Sequence, residues 1–235
     1  MKNNHTILIQ GALEEELEQF LSALLNREEK IIAGYEFYIG KISDQNIILS
    51  KTLVGTLNST IATTLGILNF HPDTVINQGI AGSHSLELHV GDIIIGESCV
   101  NINAYKMPLT KRGEGSNPFE WELNKRARDV QFADKNLIDK IEKNLSSQEK
   151  KVYRGIFGSG DVFNREYDRI SWIQNTFHNL SEDMESIGCY TVCNRFSIPC
   201  IGIRIISNNE LLQEKMDKSV ASDLQKALLS VIDKI

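Results

Sequence analysis

The sequence predicts an α/β fold: one layered domain in which helices flank a central mixed, mostly parallel β-sheet. Three observations predict it. Short β-rich runs alternate with stretches of helical periodicity along the chain. Several of those runs are apolar throughout, as in strands buried on both faces. Glycines punctuate strand ends, at Gly11, Gly55, Gly79, Gly82, Gly158 and Gly160. With 235 residues and no repeat or low-complexity linker, residues 1–235 read as a single domain with one sizeable core.

The first apolar run gives a strand over Thr6–Gln10. Leu13, Leu17, Phe20, Leu21, Leu24 and Leu25 follow at helical spacing and predict a helix over Leu13–Asn26. Ile47–Leu53 reads as a strand, Asn58–Asn69 as a helix and Thr74–Asn77 as a strand closed by glycines. Val90–Glu97, "VGDIIIGE", is a further strand. Residues 101–133 break the alternation: Pro108, Gly113, Gly115, Pro118 and Trp121 sit among mixed charges, which predicts a long excursion over the sheet's end. Helical periodicity returns over Lys135–Leu145, a strand over Tyr153–Gly158 and helices over Tyr167–Thr176 and Met184–Phe196. The apolar strand Cys200–Ile206 precedes a last helix, Asp217–Ile235.

Composition excludes several classes. The formal net charge is -6, so no basic stripe for nucleic acid is expected. Lys111-Arg112 and Lys125-Arg126-x-Arg128 are interrupted by acids and read as solvated surface. No apolar run approaches the roughly 20 residues of a membrane span, and the start is too short for a signal-peptide core. The four cysteines (Cys99, Cys189, Cys193, Cys200) form no CxxC, and the histidines at 5, 71, 84, 89 and 178 are scattered. No metal site is expected, and free thiols fit a reducing cytoplasm. Neither GxGxxG nor GxxxxGK[ST] occurs, which leaves a dinucleotide cofactor or a phosphate-binding loop without support.

Ligands bind at the carboxyl ends of strands in such sheets. The segments gathered there are Gly11-Ala-Leu-Glu, Gly79-Ile-Ala-Gly82, Ser159-Gly-Asp161 and Ser207-Asn-Asn209. Three motifs carry candidate chemistry. Glu14-Glu15-Glu16 opens the first predicted helix. At 100° per residue, Glu15 faces solvent while Glu14 and Glu16 flank the apolar stripe, where either can border the crevice. Alone, the triplet is accounted for by helix electrostatics. Ser181-Glu-Asp-Met-Glu-Ser186 places carboxylates at a strand-to-helix junction, where one can accept hydrogen bonds from two neighbouring hydroxyls; alone, it is an acidic helix start. Arg204 lies inside an apolar strand that ends in amides, so if buried it needs an anion, with Glu16 as candidate.

Taken in order, these pieces resemble the nucleoside phosphorylase/hydrolase superfamily, and most nearly its methylthioadenosine/S-adenosylhomocysteine nucleosidases. The matching stretches are "GALEEE" (11–16), "VINQGIAGS" (75–83), "VGDIIIGE" (90–97), "GSGDVF" (158–163), "EDMES" (182–186) and "RIISNNE" (204–210). The resemblance implies a homodimer that needs no cofactor, with a small purine nucleoside as its partner. It implies that water displaces a purine from C1′ of a 5′-modified adenosine through an oxocarbenium-like transition state. Glu16 would activate the water, with Arg204 positioning it. Glu185 would grip the ribose hydroxyls above Met184, and Phe163 would stack on the purine, with the backbone at Asn164 on the base edge. Ile80, Ala81 and Gly82 would line the site.

The sequence departs from that pattern at Asn208, where the nucleosidases carry an aspartate that protonates N7. An amide cannot give up that proton, although it can donate a hydrogen bond. Asn208 moves weight toward 6-oxopurine substrates, inosine-like or futalosine-like. Ile80, where the nucleosidases usually carry a serine, and Asn164, after the stacking phenylalanine, also depart. The excursion is expected to shape the pocket for the 5′ substituent. Phosphorolytic relatives hold phosphate with an arginine near the first helix, and three glutamates there would repel it. The remaining alternatives are a purine nucleoside phosphorylase and a nucleoside-binding protein that has lost catalysis.

Overall fold

In a computed structural model that describes residues 5–123, 130–146 and 151–235, twelve strands and six α-helices are resolved. The first half runs β1 (Thr6–Gly11), α1 (Glu18–Ala23), β2 (Leu25–Ile32), β3 (Tyr35–Ile42), β4 (Gln45–Lys51), α2 (Thr56–Phe70), β5 (Thr74–Ser83) and β6 (Ile93–Asn101). Then come β7 (Tyr105–Lys106), β8 (Glu122–Leu123), β9 (Gln131–Phe132), α3 (Lys135–Ser146) and β10 (Val152–Ser159). The chain ends with α4 (Tyr167–Phe177), β11 (Asn179–Asp183), α5 (Ser186–Phe196), β12 (Cys200–Asn209) and α6 (Val220–Leu229).

The main sheet has the order β11-β10-β6-β12-β5-β1-β4-β3-β2. Parallel pairings join β4-β1-β5-β12 and β6-β10-β11, while β12 meets β6 antiparallel. β11 also pairs back onto the end of β5, Ser181 with Ser83 and Glu182 with Gly82. That extra pairing closes the sheet on itself and brings the ends of β5, β11 and β12 to one place. All ten residues of β12 are buried. On one face Ile7, Ile9, Ile203 and Ile205 pack under α1, α3 and α6. On the other, Leu8, Val75 and Ile206 pack under α2 and α5, around Ala62, Tyr190 and Cys193.

The helix predicted over Leu13–Asn26 is a 3-10 turn at Glu14–Glu16 followed by the short α1, and Leu25 already begins β2. The cause is a side-chain bond: Glu16 reaches back to the amides that a longer helix would point elsewhere. β2 and β3, which the sequence reading left out, form an edge hairpin turned by Ala33 (φ 50°) and Gly34 (φ 86°). β2 is exposed at every residue except Ile32, so it carries no apolar alternation to reveal it. Asn179–Asp183 is a strand that the sequence reading gave no range, although it placed a strand-to-helix junction here, and α5 starts at Ser186, two residues after the predicted start. The last helix covers only Val220–Leu229 before a 3-10 turn.

The excursion after β6 packs against α4. Arg169 of α4 sits among three rings, with its guanidinium carbon 4.3 Å from the Tyr105 centroid, 4.5 Å from Trp121 and 5.0 Å from Trp172. Of the two basic clusters, Lys111-Arg112 is exposed as expected, and Lys125-Arg126-x-Arg128 lies outside the described residues.

Candidate active site

The strand ends open into a concave cavity, the kind of place small molecules bind. Glu16, Ile80, Ala81, Gly82, Phe163, Met184, Glu185 and Asn208 all line it. Segments more than a hundred residues apart thus converge where β1, β5, β11 and β12 end.

Glu16 is held from the main chain. Its Oε2 accepts from the amides of Ala12 (2.7 Å) and Leu13 (3.0 Å), and its Oε1 accepts from Ile80 (2.9 Å). A carboxylate offers about four acceptor sites, so Oε1 keeps one for a ligand. Burial pushes the Glu16 carboxyl above its ordinary value, and the three amides together with the Arg204 charge only partly offset this. Gly79 lets the carboxylate sit here, since a Cβ at that position would collide with Glu16 Oε1. The other glutamates of the triplet point away. Glu14 is exposed beside Lys51, and Glu15 lies 3.5 Å from Lys218. Neither lines the cavity, which corrects the placing of Glu14 on the crevice flank.

Arg204 is 1% exposed and does not pair with Glu16. Its Nε lies 3.0 Å from Asp183 Oδ2, off the N–H axis, so the contact is a charge pairing rather than a hydrogen bond. Its Nη atoms donate to Asn77 and to Ser186 Oγ (2.9 Å). Asp183 in turn accepts from the amides of Glu185 (3.1 Å) and Ser186 (3.0 Å), capping α5. Arg204 does not reach the cavity. It holds the turn that carries Glu185, and its effect on Glu16 is through space. The sequence reading passed over Asp183, although it stands inside the acidic motif; the signal was that a buried arginine one strand away needed a carboxylate.

Glu185 Oε1 accepts from the Gly55 amide (3.0 Å), and Ser59 Oγ donates to the Glu185 carbonyl (2.8 Å). Burial, then the neighbouring Asp183, raises its carboxyl to about 7. Met184 lies beside it on the cavity wall. At the opposite end, Phe163 stands near Gly82, whose Cβ position would be 3.8 Å from the ring. Asp161 pins the Phe163 loop to the start of α2 by accepting from the Thr56 amide (2.7 Å). Asn208 completes this end, with Ser207 Oγ 3.0 Å from its Oδ1.

Two expectations differ from the structure. Asn164 does not line the cavity: its amide donates to Glu182 Oε1 (2.8 Å) and its side chain to Glu182 Oε2. The lining residue is Glu182 itself, which the sequence reading missed along with Val54 and Met216, while Ser207, placed at the strand ends from the sequence, lines it as expected. The excursion contributes no lining residue among its described positions in this chain, because its aromatic side chains are taken up by Arg169 and Trp172. Among the described residues, no group of His, Cys, Asp and Glu is arranged to hold a metal ion.

Residues 6–234 match the model of the phosphorylase superfamily. A 5′-methylthioadenosine/S-adenosylhomocysteine nucleosidase of Anoxybacillus flavithermus is 30% identical over 225 residues, covering 95% of this chain and 93% of that protein. One from Psychromonas ingrahamii is 32% identical over 202 residues, 84% of this chain and 83% of that protein. Among solved structures, the futalosine hydrolase of Helicobacter pylori superposes with a TM-score of 0.84 at 24% identity, over 98% of both chains. The Neisseria meningitidis nucleosidase in complex with methylthio-immucillin-A gives 0.82 at 23%, over 98% of this chain and 99% of that one. At these identities the structural matches establish the fold.

Proposed function

The chain belongs to the phosphorylase superfamily, and we propose that within it this protein hydrolyses the N-glycosidic bond of a purine nucleoside substituted at 5′. The sequence relatives are named for 5′-methylthioadenosine and S-adenosylhomocysteine, and a 5′-modified adenosine is the first reading. A specific observation favours a second, a 6-oxopurine nucleoside: the residue at the base end is an amide, Asn208, with no proton to give.

One observation carries the hydrolytic reading. Glu16 Oε1 keeps an acceptor site free at the cavity, and Glu185 stands on the same wall with its Oε2 uncommitted. Glu16 orients a water and takes its proton as the water oxygen bonds to C1′. Its burial-raised basicity suits that task at neutral pH. Glu185 accepts the ribose hydroxyls, bonds that strengthen as positive charge builds on the sugar. The C1′–N9 bond breaks, its electron pair leaves with the purine, and the purine departs between Phe163 and Asn208. Arg204 acts as a positioning residue through Asp183.

Water rather than phosphate is the nucleophile because Glu16, Glu182, Asp183 and Glu185 line the cavity and, among the described residues, no lysine or arginine does. A phosphate dianion entering that site meets like charge with no cation on the described lining to offset it. The protein works as a homodimer in this reading. The outer face of α2 supports this: Leu57 is 77% exposed, with Ile61 and Leu68 beside it, a row that a second copy would cover. Four buried free thiols support a cytoplasmic setting.

The test is free-base release, followed by chromatography, from methylthioadenosine and from inosine, with and without phosphate. Release at the same rate without phosphate is expected, and Glu16→Gln should lower turnover by about 10²–10⁴-fold while sparing binding. Release only with phosphate would make the protein a phosphorylase. Tight binding with no release would make it a nucleoside-binding protein.

A further inference from the structure

The turn that carries Glu16 is held open by two side-chain amides from distant parts of the chain. In an unbroken α-helix the N–H of residue 19 donates to the carbonyl of residue 15. Here Gln225, on α6, stands in the place of that bond. Its Oε1 accepts from the Gln19 amide at 2.9 Å, and its Nε2 donates to the Glu15 carbonyl at 2.8 Å. Nε2 also donates to the Ala221 carbonyl at 3.0 Å, one turn earlier in α6. Both N–H groups and the oxygen of the amide are engaged, which fixes the end that faces each partner. A side chain inserted into the helical ladder breaks or kinks a helix. The break falls at Leu17, with φ −120° and ψ −9°.

The next carbonyl is taken in the same way. Gln78 of β5 donates from Nε2 to the Glu16 carbonyl at 2.7 Å, with the Gln10 carbonyl also in reach at 3.4 Å. Both glutamines are buried, Gln225 fully and Gln78 at 2% exposure. Gln78 Oε1 finds no hydrogen-bond partner among the described residues. A buried amide oxygen left unpaired is destabilising, and an apolar side chain of similar length would avoid that penalty. The amide is kept where it places a carbonyl, and that carbonyl belongs to Glu16.

We propose that Gln225 and Gln78 are positioning residues for Glu16: by occupying the carbonyls of Glu15 and Glu16 they keep the 3-10 turn from winding into α1, and so hold the Glu16 carboxylate on the amides of Ala12, Leu13 and Ile80 at the cavity wall. A 3-10 turn advances about 2.0 Å and 120° per residue, an α-helix about 1.5 Å and 100°. Rewinding three residues would move Glu16 by about 1.5 Å and turn it by about 60° relative to α1, more than its hydrogen bonds tolerate. The assignment rests on the reading in which Glu16 activates the water, and both glutamines act only through Glu16.

Gln225→Met and Gln78→Met keep the chain length and remove the donors. With the nucleoside that gives base release, each should lower kcat about a hundredfold and change KM by less than about threefold, the effect of misplacing a reacting group by about 1 Å. In a Glu16→Gln background neither should lower kcat further, because their effect passes through Glu16. Ile141→Ala, on the buried face of α3, destabilises the protein without touching the turn and should leave the kcat of the folded fraction native. A merely structural role would make the Met variants behave like Ile141→Ala. That result, or a further loss in the Glu16→Gln background, would overturn the proposal. Gln78→Met removes an unpaired oxygen and should fold even where Gln225→Met does not. If no nucleoside is cleaved, or Glu16→Gln turns over at the native rate, the hydrolase reading fails instead, and amide hydrogen exchange decides the positioning. The amides of Ala12, Leu13 and Ile80 should then exchange at least about tenfold faster in Gln78→Met, with those of Leu8 and Ile9 unchanged. Native exchange at all five would overturn it.

Discussion

Replacing Glu185 by Gln should make the ligand-free protein more stable, and only above acid pH. The carboxyl of Glu185 sits at about 7 in the fold against an ordinary value of 4.5, chiefly because burial disfavours its charge. The folded state therefore holds a proton there that the unfolded chain releases first. Below pH 4.5 both states are protonated and the group contributes nothing to the balance. As pH rises toward 7, folding must either keep the proton or bury the charge, and stability falls. Each pH unit across that window is worth about 1.36 kcal/mol, so the native protein loses about 3 kcal/mol that the Gln variant does not. For a chain of this size that corresponds to roughly 6–12 °C in Tm. Glu16, raised in the same direction, is present in both proteins and largely cancels in the difference. The assay is urea unfolding of both proteins at pH 5, 6, 7 and 8. A difference that grows with pH and levels off above 7 is expected, with the variant nearly inactive throughout. A difference that is flat across the series would refute the claim that the cavity stores this cost, and with it the assignment of Glu185 as the group that nucleoside hydroxyls relieve.

Two further substitutions probe the supports rather than the reacting groups. Arg204→Met leaves Asp183 buried without its cation and should cost about 3–5 kcal/mol by urea unfolding; a loss under about 1 kcal/mol would mean that the pair does not hold the turn at Glu185. Gly79→Ala drives a methyl into Glu16 Oε1. It should lower kcat about a hundredfold while circular dichroism and nucleoside binding change little, and native kcat would remove Glu16 from its proposed role.

The central strands were legible in the sequence because burial on both faces leaves nothing but apolar residues, as in Ile7-Leu8-Ile9 and Ile93-Ile94-Ile95. The hairpin of β2 and β3 was not, because its outer strand pairs on one edge only, is exposed at every residue but Ile32, and its composition, "NREEKII", answers to solvent. The site divides the same way. Glu16 could be picked from three adjacent glutamates only through the resemblance of "GALEEE" to a known family. Helical geometry would have left Glu14 an equal candidate, and it was the 3-10 turn, set by the amides of Ala12 and Leu13, that separated them. Asp183 and Glu182 were visible as acids, but which of Glu182, Asp183 and Glu185 faces the arginine, which the base end and which the sugar end depends on β11. That strand is five residues long, and its pairing with β5 is set by contacts a hundred residues away.

The arrangement of these acids bears on why one cavity can gather four of them. Each is compensated by something other than water. Asp183 has Arg204, Glu16 has three amides, Glu182 has Asn164 and His84, and Glu185 has the single amide of Gly55. Glu185 is the least compensated, and it carries the value raised to about 7. A carboxylate left short of donors in the empty site gains most from a ligand that brings hydroxyls, so the deficit at Glu185 is itself a source of affinity for a ribose. Binding a nucleoside should then pull the Glu185 carboxyl down and release a proton near pH 7. In the proposed reading, the cavity that would repel phosphate would, by the shortage of donors at Glu185, draw a diol.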